Sequence, residues 1–122
     1  MALAAPATRC LYVVRAVFGD PDREARWNDW YDREHVPNLL SVPGFVSATR
    51  FKQLDLDGHY LAWYEIESPR VFEQERYAEV TGWGEWADAV VEWTRTVYRL
   101  DDALPVENYV RSASSGGAGG NG

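Results

Sequence analysis

The chain of 122 residues has one cysteine, Cys10, and two histidines, His35 and His59. A lone cysteine excludes an internal disulfide and any multi-cysteine metal cluster. It sits in the apolar run RCLYVVRAVF, where a buried, inert thiol is expected. The two histidines are far apart, with no HxH or HxxxH spacing, so no metal-ligand cluster is expected either. There is no phosphate-binding glycine loop; Thr81-Gly82-Trp83-Gly84 reads as a break between helical segments, and the one glycine-rich run is the tail. Positive charge is scarce: 12 Lys and Arg stand against 19 Asp and Glu, for a net charge of -7 with no basic run. That balance excludes nucleic acid and an anionic membrane surface as partners, because both need a cationic face. No run approaches the ~18 apolar residues of a membrane span. The opening MALAAPATR lacks a basic start followed by a sustained apolar core, so it does not read as a secretory signal, and a cytoplasmic protein is expected.

What the chain does have is hydrophobic and aromatic mass. The composition is 46% hydrophobic and 14% aromatic, with six tryptophans and seven tyrosines, which is that of a folded single domain. Large aromatics fill cores and also line pockets for flat apolar ligands, so the excess favours a small-molecule cavity. Residues 1–8 read as a flexible N-terminus, 9–111 as the domain and 112–122, rich in glycine and serine, as a disordered tail.

Arg9 to Phe18 is rich in β-branched and aromatic residues and reads as a first strand. Asp20 and Pro21 then cap and open a helix predicted to run to His35 or Val36, because Pro37 disfavours helical geometry in the residue before it. Val42-Pro43-Gly44 is a turn. Phe45 to Leu54 reads as strand two, with Phe45, Ser47, Thr49 and Phe51 on one face and Val46, Ala48, Arg50 and Lys52 on the other. Asp57-Gly58 signals a hairpin into strand three, Tyr60 to Ile66, with His59 an exposed loop residue beside the turn. Ser68-Pro69 opens a second helix that breaks at Thr81-Gly82, after which Trp83, Trp86, Ala87, Val90 and Val91 recur at helical spacing. The last strand is predicted at about Arg95 to Leu100, and residues 101–111 form a polar extension. The order βαββαβ predicts a ferredoxin-like α+β fold: a four-stranded antiparallel sheet with both helices on one face. The other face then needs a cover, and the simplest is a second copy across a two-fold axis.

Most groups with plausible chemistry fall between Trp27 and Arg50, WNDWYDREHVPNLLSVPGFVSATR. On a helical period Trp27, Tyr31, Glu34, His35 and Asn38 share a side, with Trp30 on its flank. Asp29 and Arg33, at i,i+4 spacing, belong with Asp32 to a solvated face. His35 titrates near neutrality when unperturbed; the helix end and Glu34 favour its charged form and burial the neutral one. It either bonds a free carbonyl at the helix end or serves a pocket. Tyr31, one turn earlier, either packs on the sheet or holds a substrate oxygen by its hydroxyl. Trp27 and Trp30 fill the core or wall an aromatic substrate. Arg50 either pairs with a carboxylate such as Glu65 or Asp32 or holds an anionic ligand group.

The run W-N-x-W-Y-x-x-x-H-V-P-x-L-L-x-V-P-G-F-x-x-A-x-R-F resembles the small EthD-like proteins of the dimeric α+β-barrel superfamily. The resemblance implies a homodimer whose two sheets close a barrel, with a pocket in each subunit between its helices and its own sheet. The wider superfamily holds isomerases, polyketide cyclases, cofactor-independent monooxygenases and haem-handling proteins. Carried onto this chain, it implies acid–base work for His35 and, with less support from the motif, Tyr31. The reading is then an enzyme without a cofactor that acts on an aromatic or polyketide-like molecule, with haem through His35 as a side possibility. The alternatives are a non-catalytic homodimer that binds a small aromatic ligand and an accessory subunit of a larger enzyme.

Overall fold

A computed structural model describes Thr8 and residues 10–101. The last part of the expected domain and, apart from Thr8, the expected flexible ends lie outside the described residues. Four strands, β1 (Cys10–Phe18), β2 (Phe45–Lys52), β3 (His59–Ile66) and β4 (Val90–Arg99), form one sheet in the order β2-β3-β1-β4 with every neighbouring pair antiparallel. This is the ferredoxin-like sheet. The first helical arm runs as α1 (Glu24–Trp30), a π-helical turn (Tyr31–His35) and α2 (Val36–Leu40). The second is shorter than predicted: a 3-10 turn (Pro69–Glu73), α3 (Glu75–Val80) and another 3-10 turn (Gly84–Trp86). Ser68 caps its start as expected, its hydroxyl accepting from the Arg70 amide at 3.2 Å.

The two-residue period of β1 decides which side is the core. Cys10, Tyr12, Val14, Ala16 and Phe18 are all buried under the helices, whereas Leu11, Val13 and Val17 are only half-covered and Arg15 is exposed. From β3, Ala62, Tyr64 and Ile66 join the same core. Its centre is Trp27, fully buried and stacked on Phe18 with ring centroids 4.6 Å apart. Removing a side chain of that size costs roughly 3–5 kcal/mol, most of a small domain's margin. The hairpin between β2 and β3 turns at Gly58, where φ is 78° and a Cβ would stand 2.5 Å from the Phe18 carbonyl oxygen, so only glycine fits.

Four expectations need correction. The first helix opens at Glu24 with no side-chain cap, instead of at Pro21 under Asp20, and it does not stop before Pro37. The alternation in β2 breaks at a bulge between Phe45 and Ser47, which puts Phe45 on the helix side with Ala48 and Arg50 and leaves Ser47, Thr49 and Phe51 opposite. Val90 and Val91 are strand, because β4 pairs with β1 from Phe18↔Val90 onward and their β-branched side chains suit it. His59 opens β3 opposite Val17 instead of standing in the loop. The face away from the helices carries Val13, Leu61, Trp63, Phe51 and Tyr98 without a cover among the described residues; Trp63 is 40% and Phe51 48% exposed. No described helix is long and apolar enough to cross a membrane.

Candidate active site

A proline inside a helix has no amide hydrogen to give, and its ring collides with the carbonyl four residues earlier. Here the helix widens just before Pro37. The Val36 amide donates to the Tyr31 carbonyl five residues back, and the π-helical turn accommodates the ring without ending the arm. The widening has a second effect. Side chains four apart drift by about 40° per step around a regular α-helix, and a wider turn reduces that drift. Trp27, Tyr31, His35 and Leu39 therefore stay on one buried ladder, whereas Glu34 and Asn38, expected beside them, are exposed.

His35 is 7% exposed. Its imidazole lies flat on the Trp30 indole, centroids 4.7 Å apart at 16°, and edge-on to Tyr31 at 4.9 Å. Burial, followed by the positive charge of Arg50, pushes its pKa down to about 4, so the ring is neutral at neutral pH. Because the helix continues through it, there is no terminal carbonyl for His35 to cap. Among the described residues neither ring nitrogen has a hydrogen-bond partner.

The ring faces a cavity of about 60 Å³ between the first helical arm and its own sheet. Tyr31, His35 and Leu39 line it from the arm, Tyr12, Val14 and Tyr64 from the two central strands, Trp93 and Arg95 from β4, and Thr81 to Trp83 from the loop that ends α3. Desolvation raises the pKa of Tyr31, Tyr64 and Tyr12, so all three are neutral phenols and remain hydrogen-bond donors. The Tyr31 and Tyr64 hydroxyls perturb each other's ionisation across the cavity wall. The Tyr64 hydroxyl is fully buried with no well-formed hydrogen bond. Tyr12 and Tyr77 bring their hydroxyls to 3.3 Å, and Arg95 Nη1 donates to Tyr77 at 3.0 Å.

Of the residues singled out by sequence, the fold brings His35 and Tyr31 to the cavity and leaves three outside its wall. Trp27 is core. Trp30 stands behind His35. Arg50 bonds Asp32 Oδ1 and Asn28 Oδ1, both at 2.8 Å, with its guanidinium 3.9 Å over the Tyr31 ring. The carboxylate expected to pair with Arg50 is thus Asp32; Asp29 and Arg33 also pair, at 2.7 Å. The tryptophans at the cavity are instead Trp83 and Trp93. They went unnoticed with Tyr12, Tyr64 and Arg95 because each lies far along the chain from His35. The available signal was strand alternation: Tyr12 and Tyr64 are two steps from other inward residues of β1 and β3.

Among the described residues no group of three His, Cys, Asp or Glu side chains could hold a metal. A haem is several times larger than the cavity beside His35 and does not fit it. A wider hollow of about 460 Å³ lies at one end of the uncovered sheet face. Its charged groups, Arg15, Lys52 and Glu92, are exposed, and its titratable neighbours His59 and Tyr60 are only half-buried.

No protein-family model matches the chain, and no curated protein matches it. Solved structures do. The cofactor-independent oxygenase SnoaB of Streptomyces nogalater is 19% identical with a TM-score of 0.59, over 81% of this chain and 99% of that one. A putative antibiotic biosynthesis monooxygenase from Nitrosomonas europaea is 15% identical with a TM-score of 0.55, over 73% and 95%. A dimeric ferredoxin-like protein from an uncultured marine organism is 16% identical with a TM-score of 0.64, over 88% and 96%. At these identities the likeness is one of fold.

Proposed function

We propose that the chain is a cofactor-independent enzyme that begins its reaction by taking a proton from a small aromatic or polyketide-like substrate. One observation carries this reading: a buried, neutral imidazole, its nitrogens without partners among the described residues, facing a cavity that also holds neutral phenols. His35 takes the proton from a carbon beside a carbonyl, or from a phenol, and becomes an imidazolium. Tyr31, with Tyr64 beside it, donates a hydrogen bond to the oxygen on which negative charge develops. Trp30 holds the imidazole plane. Arg50 holds the Tyr31 ring, and burial, followed by the charge of Arg50, keeps the resting His35 unprotonated.

The carbanion or phenolate then isomerises, closes a ring, expels a group or is captured by dioxygen. The fold shared with SnoaB and with antibiotic biosynthesis monooxygenases supports the last of these, and the EthD-like motif supports the class as a whole. The apolar uncovered face, with a dimeric neighbour of the same fold, supports a homodimer in which two sheets pack face to face. A screen of aromatic and polyketide ketones on wild type beside His35→Ala tests the enzyme. Conversion that His35→Ala abolishes supports it. A ligand that binds both proteins alike and is never converted favours the non-catalytic binding module instead.

A further inference from the structure

Three arginines rest against buried aromatic side chains, and one of them stands apart. Arg23 pairs with Asp20 and Asp88, each at 2.7 Å, and Arg50 pairs with Asp32 at 2.8 Å. Arg95 has no carboxylate within ion-pair distance among the described residues, in a chain with 19 acidic side chains. Its partners are phenol hydroxyls: Tyr77, to which it donates at 3.0 Å, and Tyr12 beside it. A guanidinium has five N–H donors, and phenols leave its charge uncompensated. Arg95 pairs with the inward-facing Val14 and lines the same cavity as His35, yet it is exposed, which places it at the opening.

The neighbours of Arg95 on β4 explain what such a charge would serve. Trp93 and Val97 share its face at a two-residue period, and they are 48% and 39% exposed because α3, only six residues long, leaves this stretch of β4 uncovered among the described residues. Trp83 meets Trp93 edge-on at 5.9 Å, extending the apolar surface to the cavity. The cavity's 60 Å³ takes the edge of a ring, whereas pockets that enclose a drug-sized ligand hold roughly 300–1,000 Å³. A multi-ring substrate must therefore keep most of its body outside, on a shelf that is apolar except for one guanidinium.

We propose that Arg95 is an anion subsite at the mouth of the cavity: it holds an ionised oxygen of a flat aromatic substrate whose body rests on Trp93 and Val97 while its reacting edge reaches His35. This rests on the proton-abstraction reading above and adds to it the substrate class, an aromatic or polyketide-like acid. A charge-assisted, bidentate bond fixes the long axis of the molecule and so chooses which carbon meets the imidazole.

The test is binding, which needs no turnover. Tryptophan fluorescence is titrated with anthraquinone-2-carboxylate and with its neutral primary amide, on wild type, Arg95→Gln, Arg95→Lys and His35→Ala, each checked for fold by circular dichroism. Wild type is expected to bind the acid at least about tenfold tighter than the amide. Arg95→Gln should lose that preference with the amide affinity unchanged within about twofold, and Arg95→Lys should keep part of it. His35→Ala should keep it in full. Equal affinities in wild type, a preference that survives Arg95→Gln, or no binding of either probe would each overturn the subsite. Failure of the catalytic reading looks different: the acid preference persists, but no ketone is converted faster by wild type than by His35→Ala.

Discussion

The indole of Trp30 and the imidazole of His35 lie 4.7 Å apart and 16° from parallel. Five residues apart on an ordinary α-helix the two side chains would diverge by about 140°; the π-helical turn between them draws them into a stack. The stack fixes the imidazole plane and shields one of its faces from water. Trp30→Ala is therefore expected to raise the His35 pKa from about 4 toward 6.5, since readmitted water favours the imidazolium. Histidine titration by NMR would show the shift, with activity at neutral pH lowered by roughly tenfold from loss of orientation. A His35 midpoint that stays put in the variant would remove Trp30 from the account.

The same burial makes stability depend on pH. The unfolded chain's imidazole binds its proton near 6.5, the folded one's only at about 4. Between those values the unfolded state holds the extra proton, so falling pH favours unfolding. Stability is full above about pH 6.5, and about 3 kcal/mol is lost as pH drops through about 4. Urea unfolding at neutral pH and at about pH 4.5 should show wild type losing more than His35→Asn by nearly that amount. Activity per free enzyme should have its acid limb at about pH 4 as well. Equal acid sensitivity of the two proteins would mean that His35 is solvated.

Tyr64 separates function from stability in one substitution. Its hydroxyl is buried without a well-formed hydrogen bond, so Tyr64→Phe removes a desolvation cost and leaves the packing intact. The variant is expected to be as stable as wild type or more stable by about 1 kcal/mol, while losing rate because the hydroxyl helps to hold the developing oxyanion. A loss of stability above about 1 kcal/mol would show that the hydroxyl is bonded in the folded chain.

Much of this was legible in the sequence. The alternation in β1, the Asp57-Gly58 turn and the serine cap at Ser68 were enough for the ferredoxin-like order. His35 and Tyr31 stood out because they share a helical ladder. The π-helical turn was not legible: a proline is an ordinary reason to end a helix, and the compensating Val36-to-Tyr31 bond spans one residue more than helical periodicity assumes. The bulge after Phe45 is equally silent, because a single extra residue inverts alternation without changing composition. Arg95 and Trp93 become site residues only through the pairing of β4 with β1, a long-range relation. Trp27 illustrates the converse: its place in the motif leaves core and pocket wall both open, and the fold makes it core.

The uncovered sheet face makes its own prediction. Light scattering at micromolar concentration is expected to give twice the chain mass of 13.9 kDa. Trp63→Asp, which puts a charge in the middle of that face, should return the 13.9 kDa monomer with its fold intact. Wild type running as a monomer would leave the apolar face without a cover and remove the homodimer from the proposal.

Proton abstraction by His35 from carbon beside a carbonyl is the step common to isomerisation, cyclisation, lyase chemistry and oxygenation. The most direct measurement is deuterium uptake from D₂O at C1 of 2-tetralone, a cyclic ketone whose C1–H is acidified by both the carbonyl and the fused arene, with no need of a cofactor. Wild type should speed exchange above the buffer rate, and His35→Ala should lower that gain by roughly a hundredfold or more. Exchange by His35→Ala at the wild-type rate, or no gain by wild type over buffer, would contradict the account.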